Sequence, residues 1–317
     1  MLAVKLTDYY RSLIDWNDPA DPLARMTQFS AAESDELSDD RCDLMRDHHS
    51  DDGINRVLRH HYPDRVLLLT TSRCAAHCRY CFRKARIEQR EPDISDTELA
   101  EAVAYVAARP AIGEIILSGG DPLALPNARL LQIITAFRRT PQIHSIRLHT
   151  RFPVYQPARC DGLAEIAAQI NVFIVQVNHA REVTPRFIAA MARLRPFALL
   201  YNQSVLLRGV NDSVAALSEL SWALARAGIT PCYLHYPDLI PGTDHFRLPL
   251  DRAIALVGAL RGQVPGYLIP RLMLDIPGGY GKIALEDPAC RRIDHQTFLL
   301  RSPLTGELIR YHDTELA

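Results

Sequence analysis

The run Val66-Leu67-Leu68-Leu69-Thr70-Thr71-Ser72-Arg73-Cys74-Ala75-Ala76-His77-Cys78-Arg79-Tyr80-Cys81 joins an apolar segment to a cluster of cysteines. Its first half predicts a buried β-strand, because the strands of a parallel sheet are short apolar runs. Its second half brings three cysteines into eight residues, on the loop that leaves this strand. Thiolates at Cys74, Cys78 and Cys81 can bind three irons of a cubane [4Fe–4S] cluster, which leaves the fourth iron open to another ligand. The alternative is a zinc site, but structural zinc usually has four protein ligands in paired Cys-x-x-Cys elements.

Outward from this run, the chain alternates between predicted strands and predicted helices. Strands are expected near residues 66–71, 114–118, 144–150, 171–178, 198–206, 230–236 and 267–274. Helices are expected near residues 95–109, 127–139, 158–169, 184–195, 212–228 and 250–262. Apolar, β-rich runs separated by amphipathic helices indicate βα units and a parallel sheet. Such units curl into a barrel or a partial barrel, whose catalytic groups gather at the carboxyl ends of the strands.

The expected organisation is one α/β barrel with two flanking segments. Residues 1–60 are polar and irregularly patterned and are predicted to form an N-terminal helical extension. Residues 61–285 are predicted to form the barrel, and residues 286–317 a short C-terminal segment packed on it. Ser95-Asp96-Thr97-Glu98 and Asn211-Asp212-Ser213 are expected helix starts, because each offers a side-chain oxygen to cap the first turn.

Composition argues against several classes of partner. The 317 residues are 48% hydrophobic and 23% charged, with a net charge of −1, so no electrostatic attraction to nucleic acid or to a membrane surface is expected. No apolar h-region precedes Trp16, and no apolar run reaches 18 residues, so neither secretion nor membrane spanning is expected. Seven cysteines, three of them clustered, suit a reducing cytoplasm with one inorganic site. The other cysteines are expected to be core or surface thiols; they are Cys42, Cys160, Cys232 and Cys290.

A glycine-rich run near the end of the barrel presents a single lysine. In Pro277-Gly278-Gly279-Tyr280-Gly281-Lys282-Ile283 the glycine spacing is wrong for a Walker A loop, and Ile283 replaces its hydroxyl residue. The run suits instead a lysine that binds pyridoxal phosphate (PLP) as a Schiff base. Burial would lower the pKa of Lys282 and favour its neutral, nucleophilic form. A surface turn is the alternative.

A second glycine pair follows the strand predicted at residues 114–118. Glycines in Ser118-Gly119-Gly120-Asp121-Pro122 would let the backbone approach a ligand closely. The alternative is a simple turn between strand and helix. The three-cysteine run resembles the signature of the radical S-adenosylmethionine (SAM) superfamily, in which the segment corresponding to the glycine pair binds SAM. That resemblance implies SAM contacts at Gly119, Gly120 and Asp121.

Taken together, these runs resemble the lysine 2,3-aminomutase family of PLP-dependent radical SAM enzymes, from about Tyr62 to Tyr311. The resemblance implies a partial (β/α)6-type TIM-like barrel, the radical SAM fold, with the N-terminal extension outside it. The segments that carry the resemblance, besides the three-cysteine and glycine runs, are Tyr62-Pro63-Asp64-Arg65, Phe82-Arg83-Lys84, Asn202-Gln203-Ser204-Val205-Leu206-Leu207-Arg208-Gly209-Val210-Asn211-Asp212 and His245-Phe246-Arg247.

The family implies roles for the cofactor-binding residues. Lys282 corresponds to the lysine that binds PLP, while Arg65 and Tyr62 correspond to residues that hold this cofactor. His61 stands where the family often has an arginine, so its contact with PLP depends on an imidazole hydrogen bond. Gln203 corresponds to a polar contact with SAM, with a buried strand-end amide as the alternative.

The family also implies how the substrate is recognised. Arg83 resembles the arginine that binds the α-carboxylate of the substrate, a bidentate pairing of fixed geometry. Asp238 and Asp275 resemble the two acids that receive the ε-ammonium of lysine. As alternatives, Asp238 could cap a loop, and Asp275 could pair with Arg271 or another base.

The function implied is that of an isomerase that interconverts L-lysine and β-lysine by migration of the 2-amino group to carbon 3. Within the family, the alternative is an enzyme that makes (R)-β-lysine for attachment to elongation factor P. From another class, the alternative is a non-catalytic iron–sulfur protein or a zinc-stabilised binding protein. The expected cofactors are a [4Fe–4S] cluster, SAM and PLP, and the expected partners are L-lysine, an electron donor such as flavodoxin or ferredoxin, and a second copy of the chain in a homo-oligomer.

Overall fold

The computed structural model describes residues 2–34 and 55–313, which contain two β-sheets and the helices around them. The strands are β1 (Leu58–Tyr62), β2 (Arg65–Leu69), β3 (Glu114–Ser118), β4 (Ser145–Thr150), β5 (Val172–Val175), β6 (Leu199–Val205), β7 (Thr230–His235), β8 (Arg271–Asp275), β9 (Lys282–Ala284), β10 (Cys290–Arg292), β11 (Thr297–Arg301) and β12 (Leu308–His312). The α-helices are α1 (Asp8–Arg11), α2 (Pro22–Arg25), α3 (Lys84–Glu88), α4 (Asp96–Ala107), α5 (Asn127–Arg138), α6 (Phe152–Tyr155), α7 (Ala164–Ala168), α8 (Pro185–Leu194), α9 (Val214–Arg226) and α10 (Leu250–Leu260). Short 3₁₀ helices are Ala31–Ser34, Pro122–Ala124, Pro157–Cys160, Ala180–Glu182, Asp244–Phe246 and Gly266–Leu268.

The first nine strands form one sheet in sequential order. Strands β2 to β8 are parallel, whereas β1 lies antiparallel to β2 and β9 lies antiparallel to β8. A hydrogen bond bridges the two edge strands of this sheet: the backbone N–H of Lys282 on β9 donates to the Tyr62 side-chain hydroxyl on β1 at 2.9 Å. The curled, mainly parallel sheet and its helices confirm the predicted α/β partial barrel, and the bridge between its edges lies at the predicted PLP lysine.

The parallel strands and their helices follow the sequence pattern closely. All seven predicted strands correspond to β2–β8. Helix α4 begins in a capping box, in which the Ser95 hydroxyl accepts from the Glu98 N–H at 3.2 Å and the Glu98 carboxylate accepts from the Ser95 N–H at 2.9 Å. One predicted helix, at residues 158–169, is interrupted, because Gly162 takes a left-handed conformation at φ +77° between the 3₁₀ helix and α7.

The described part of the N-terminal region packs on the cysteine loop. It contains only the one-turn helices α1 and α2 and a 3₁₀ turn, and β1 crosses the predicted boundary at residue 60. The His77 N–H donates to the Lys5 carbonyl at 3.0 Å, and the Arg79 N–H donates to the Met26 carbonyl at 2.9 Å. The loop that carries the three cysteines is thus covered by residues from the beginning of the chain.

The C-terminal segment forms structure that the sequence pattern did not predict. Strands β10, β11 and β12 make an antiparallel sheet of three strands. Phe298 and Tyr311 from this sheet share an apolar cluster with Leu272 of β8 and Ile283 of β9. Burial of these side chains attaches the small sheet to the end of the large one.

The remaining cysteines are single thiols. Cys160 is buried, and Cys232 and Cys290 are partly buried; each is free of a disulfide. The prediction for Cys42 lies outside the described residues. Within those residues, no helix is both long and apolar enough to cross a bilayer.

Candidate active site

A cavity of about 630 Å³ runs along the inner face of the curled sheet, mainly at the carboxyl ends of its strands. All of the predicted site residues line it. They are Cys74, Cys78, Cys81, Gly119, Gly120, Asp121, Gln203, His61, Tyr62, Arg65, Arg83, Asp238, Asp275 and Lys282. Residues separated by up to 221 positions in the chain therefore face one space, as expected for a site at this end of a barrel. We call the two parts of this cavity the thiol end (around Cys74, Cys78 and Cys81) and the amine end (around Lys282).

Two of the thiols at the thiol end, Cys74 and Cys81, have raised pKa values. Burial raises the pKa of Cys81 to about 12, and the Cys78 thiol adds to this shift. Burial also raises the pKa of Cys74 well above its ordinary value, with further contributions from Asp121, Cys81 and Cys78. Among the described residues, no group of three or more His, Cys, Asp or Glu side chains is close enough together to hold a single metal ion. The fit to a [4Fe–4S] cluster rests on donor chemistry, because three soft thiol donors on one loop face one cavity and can each bind a different iron.

A buried hydrogen-bond network lies behind Cys78. The Tyr155 hydroxyl is 3.0 Å from the Cys78 Sγ, and Arg151 Nε donates to the same hydroxyl oxygen at 2.7 Å. Arg151 Nη2 then donates to Glu182 at 2.6 Å, and Glu182 also accepts from the Tyr10 hydroxyl at 2.7 Å. Sequence reasoning missed this network, because its members come from distant segments and form no local pattern.

The glycine pair fits tightly against the cysteine loop. Gly119 has φ +135°, and a Cβ on Gly120 would lie 2.5 Å from the Arg73 carbonyl oxygen. The Gly120 N–H donates to the Thr71 carbonyl at 2.6 Å, and the Asp121 N–H donates to the Arg73 carbonyl at 2.8 Å. Only glycine permits this approach, so the pair fixes the end of β3 against the start of the loop.

The Asp121 carboxylate is already engaged within the protein. It accepts from the Thr150 hydroxyl at 2.7 Å and from the backbone N–H groups of Arg151 and Phe152 at 2.8 and 3.0 Å. Burial raises its pKa to about 6 despite these donors, which act in the opposite direction. The carboxylate therefore positions the start of α6, and its contact with SAM stays a prediction.

At the amine end, Lys282 and Asp275 lie opposite each other on β9 and β8. Lys282 Nζ donates to Asp275 Oδ2 in an ion pair. Burial alone would lower the pKa of Lys282, but the Asp275 carboxylate, with a smaller contribution from Asp238, raises it above its ordinary value. The prediction that burial keeps this amine neutral is wrong for the structure, because the sequence argument did not include the carboxylate on the neighbouring strand.

The predicted PLP contacts surround this lysine. The Tyr62 ring lies under the Arg65 guanidinium, whose central carbon is 3.7 Å from the ring centroid. Arg65 also pairs with Asp64 at 2.7 Å, and His61 lines the same cavity. An amine, a guanidinium and a phenol at one end of the cavity suit a cofactor with an aldehyde and a phosphate. The residues fit PLP in this respect, and their individual contacts stay predictions.

Other polar side chains that line the cavity are hydrogen-bonded to one another. Arg83 Nη1 donates to the Ser118 hydroxyl at 3.0 Å, and Gln203 Nε2 donates to His149 Nδ1 at 3.1 Å. Burial lowers the pKa of His149 well below its ordinary value, and the nearby charges of Arg147 and Arg83 lower it further.

Two cavity histidines, His149 on β4 and His235 on β7, were missed from the sequence. Burial also lowers the pKa of His235, to about 4. The alternation of apolar and polar residues along β4 could have indicated His149. Ile146 and Leu148 are buried on one face of the strand, and Arg147 and His149 line the cavity on the other.

Comparison with known proteins gives consistent relatives. The family model of the radical SAM superfamily matches residues 68–213. L-lysine 2,3-aminomutase from Clostridium subterminale is 34% identical over 95% of this chain and 73% of its own. L-lysine 2,3-aminomutase from Escherichia coli strain K12 is 36% identical over 90% of this chain and 84% of its own. The enzyme of the same name from Acetoanaerobium sticklandii is 32% identical over 99% of this chain and 76% of its own.

Among solved structures, a radical SAM methyltransferase from Sphaerobacter thermophilus aligns with a TM-score of 0.49 and 19% identity, over 69% of this chain and 68% of that chain.

Proposed function

We propose that this chain, which belongs to the L-lysine 2,3-aminomutase family of radical SAM enzymes, moves the α-amino group of L-lysine to its β-carbon. The observation that carries the proposal is that the predicted site residues share one cavity. It joins three thiols at one end to a lysine amine and two carboxylates at the other. A protein that only stored an iron–sulfur cluster would have no use for the amine end.

The cofactors supply the chemistry, and the protein supplies position and charge. When bound, the cluster and SAM provide a carbon radical that removes a hydrogen atom, and PLP provides the conjugated ring that allows nitrogen to move between neighbouring carbons. The chain's own part begins with Cys74, Cys78 and Cys81, which we propose as cluster ligands. Lys282 would hold PLP through its Nζ, with Tyr62 beside it.

Charge balance at the amine end favours lysine as the substrate. In the structure, the Lys282 ammonium neutralises Asp275. Once its Nζ is bound to PLP, Lys282 no longer supplies that ammonium, and the Asp275 carboxylate is left without its cation in a cavity that Asp238 also lines. The ε-ammonium of a lysine substrate restores the balance, whereas the carboxylate of a glutamate substrate would be repelled.

Arg83 is proposed to hold the other end of the substrate. It lies two residues after Cys81 and faces the cavity, where its guanidinium contacts the Ser118 hydroxyl. A guanidinium fixed in this way suits a planar α-carboxylate. Arg83 on one side and the two acids on the other would then orient an amino acid across the cavity, with its β-carbon between the cofactors.

The proposal extends to the flanking segments and to a redox partner. We propose that residues 61–285 are the catalytic unit, with residues 1–60 and 286–317 packed against it. A one-electron donor of the flavodoxin or ferredoxin type would reduce the cluster. Chiral analysis of the product measures its handedness, and an (R)-product is what the alternative of an enzyme serving elongation factor P requires.

The test is turnover under strictly anaerobic conditions. Protein reconstituted with iron, sulfide and PLP is incubated with SAM, a reductant and L-lysine, and the products are separated by chiral chromatography. We expect β-lysine without net loss of SAM. A reduced cluster that cleaves SAM but leaves L-lysine unchanged, while another amino acid is isomerised, would contradict the substrate assignment and keep the reaction class.

A further inference from the structure

We propose that Tyr155 donates a hydrogen bond to the Cys78 sulfur and thereby raises the reduction potential of the cluster. Tyr155 is a positioning residue in this account, since it acts on the cluster through Cys78. The inference rests on the proposed function in one respect only, because it requires the cluster at Cys74, Cys78 and Cys81. It does not depend on which amino acid is the substrate.

The direction of the hydrogen bond follows from the partners of the Tyr155 oxygen. Arg151 has only donors, and its Nε donates to this oxygen at 2.7 Å. The hydroxyl hydrogen is then directed elsewhere, and the Cys78 Sγ lies 3.0 Å from the oxygen. A cysteine bound to iron is a thiolate and has no hydrogen to donate. The sulfur therefore accepts, and the tyrosine donates.

Tyr155, which borders the cavity, is held by contacts at its hydroxyl, its ring and its backbone carbonyl. Tyr155 is 1% exposed, and its ring packs edge-to-face on the ring of Tyr10, with the two ring centroids 4.8 Å apart. The Thr7 hydroxyl donates to its backbone carbonyl. Arg151 is fixed in turn by Glu182 and by the Gln176 carbonyl, to which it donates at 2.9 Å. The donor is thus preorganised, and it need not move when the charge on the sulfur changes.

The effect on the cluster has a defined sign. Reduction adds one negative charge, part of which resides on the cysteine sulfurs, so a donated hydrogen bond stabilises the reduced form more than the oxidised form. Hydrogen bonds to cluster sulfurs are a recognised determinant of their potentials. Tyr155 is almost fully buried, and a hydrogen bond in such a low-dielectric environment is stronger than one in water. Glu182 balances the charge of Arg151, so the hydroxyl, rather than a net cation, provides the stabilisation.

The decisive variant is Tyr155→Phe, which removes only the hydroxyl. The reconstituted protein is titrated with a series of mediators, and the reduced cluster is quantified by EPR at each potential. We expect a more negative midpoint than in the wild type. At the potential where half of the wild-type cluster is reduced, the variant should show a several-fold lower ratio of reduced to oxidised cluster.

The chain offers a matched control in Tyr10→Phe. Tyr10 is equally buried and donates to Glu182 at 2.7 Å, at the far end of the same network, and it does not touch the sulfur. This variant should leave the midpoint unchanged. Equal shifts in both variants would show that the network acts through general packing, and an unchanged midpoint in Tyr155→Phe would show that the hydroxyl has no influence; either result overturns the inference.

A second measurement needs no variant. Resonance Raman spectra of the wild-type cluster in H₂O and D₂O should differ in the Fe–S(Cys) stretching bands, because the donated hydrogen exchanges. Identical spectra would contradict the hydrogen bond even if Tyr155→Phe failed to assemble a cluster. Absence of any cluster in the wild type would instead refute the proposed function, so the two failures can be told apart.

Discussion

The two ends of the cavity contain ion pairs that differ in their access to ligands. At the thiol end, Arg151 and Glu182 form an ion pair whose side chains are 5% and 0% exposed, although Arg151 borders the cavity. At the amine end, Lys282 and Asp275 form an ion pair. Their side chains are 36% and 35% exposed, and both line the cavity. A buried pair can be broken only at high cost, whereas a pair that faces a cavity can exchange a partner for a ligand. The first pair is therefore part of the scaffold, and the second belongs to the binding site.

Loss of a cluster ligand should give the largest effect. Cys78→Ala should lose the iron–sulfur absorbance and reduce turnover below detection, because the remaining two thiols leave another iron without a protein ligand. PLP should still bind, since Lys282 is unaffected. Iron content, visible spectra and β-lysine formation report these outcomes.

The matched control is Cys290→Ala, which removes a thiol of β10 outside the cavity. It should keep full iron content and turnover. Retained turnover in Cys78→Ala would remove this cysteine from the cluster.

Loss of the amine should come next. Lys282→Ala should lower turnover at least about 10³-fold, because the proposed covalent attachment point of PLP is lost. The sequence contains only three lysines, at positions 5, 84 and 282. Borohydride reduction of the PLP-loaded protein, followed by peptide mapping, should therefore label Lys282 alone. Label on Lys5 or Lys84 in the wild type would contradict the assignment.

The scaffold pair and the site pair should differ in their effect on stability. Glu182→Gln leaves the Arg151 guanidinium buried without a counter-charge, so the free energy of unfolding should fall by about 3 kcal/mol. Asp275→Asn breaks an ion pair whose side chains are about one third exposed, so the free energy of unfolding should fall by less than about 1 kcal/mol. Urea unfolding of the cofactor-free protein, monitored by circular dichroism, measures both. Equal losses would mean that the amine-end pair is also part of the scaffold.

Asp275 should also set the pH at which Lys282 reacts. Only the neutral amine attacks an aldehyde, and the Asp275 carboxylate holds the pKa of Lys282 above its ordinary value. In Asp275→Asn burial acts without that carboxylate, so the midpoint for PLP attachment should move to lower pH. Absorbance titration of PLP binding from acid to alkaline pH measures this midpoint.

Asp251→Asn, which removes a carboxylate paired with Arg292 away from the cavity, should leave the PLP midpoint unchanged. A shift of the PLP midpoint to higher pH in Asp275→Asn would contradict the conclusion that the Asp275 carboxylate raises the pKa of Lys282.

Local sequence patterns were sufficient for the parallel strands and for most of their helices. Each of β2 to β8 lies within or close to an apolar run, and each run is followed by an amphipathic helical pattern or by a glycine turn. The edge strands gave no such signal, since β1 reads Leu58-Arg59-His60-His61-Tyr62 and β9 has only three residues. Without β9, the register that places Asp275 opposite Lys282 could not be foreseen, and neither could the raised pKa of the lysine.

The contents of the site were predictable to the extent that short motifs carried them. The cysteine loop, the glycine pair and Lys282 were each found in a local run. Tyr155, Arg151 and Glu182 lie in ordinary-looking segments, and only the folded chain brings them to Cys78. Interactions between distant segments determine how the motif residues are charged and hydrogen-bonded, and a motif alone does not contain that information.

The most direct test of the account is discrimination between L-lysine and L-norleucine, which has the same carbon chain without the ε-ammonium. If Asp238 and Asp275 receive that ammonium, the wild type should prefer L-lysine in kcat/KM by at least about 10²-fold. The preference should shrink in the double variant Asp238→Asn, Asp275→Asn. Comparable kcat/KM values for the two amino acids in the wild type would contradict the proposal that the amine end of the cavity recognises lysine.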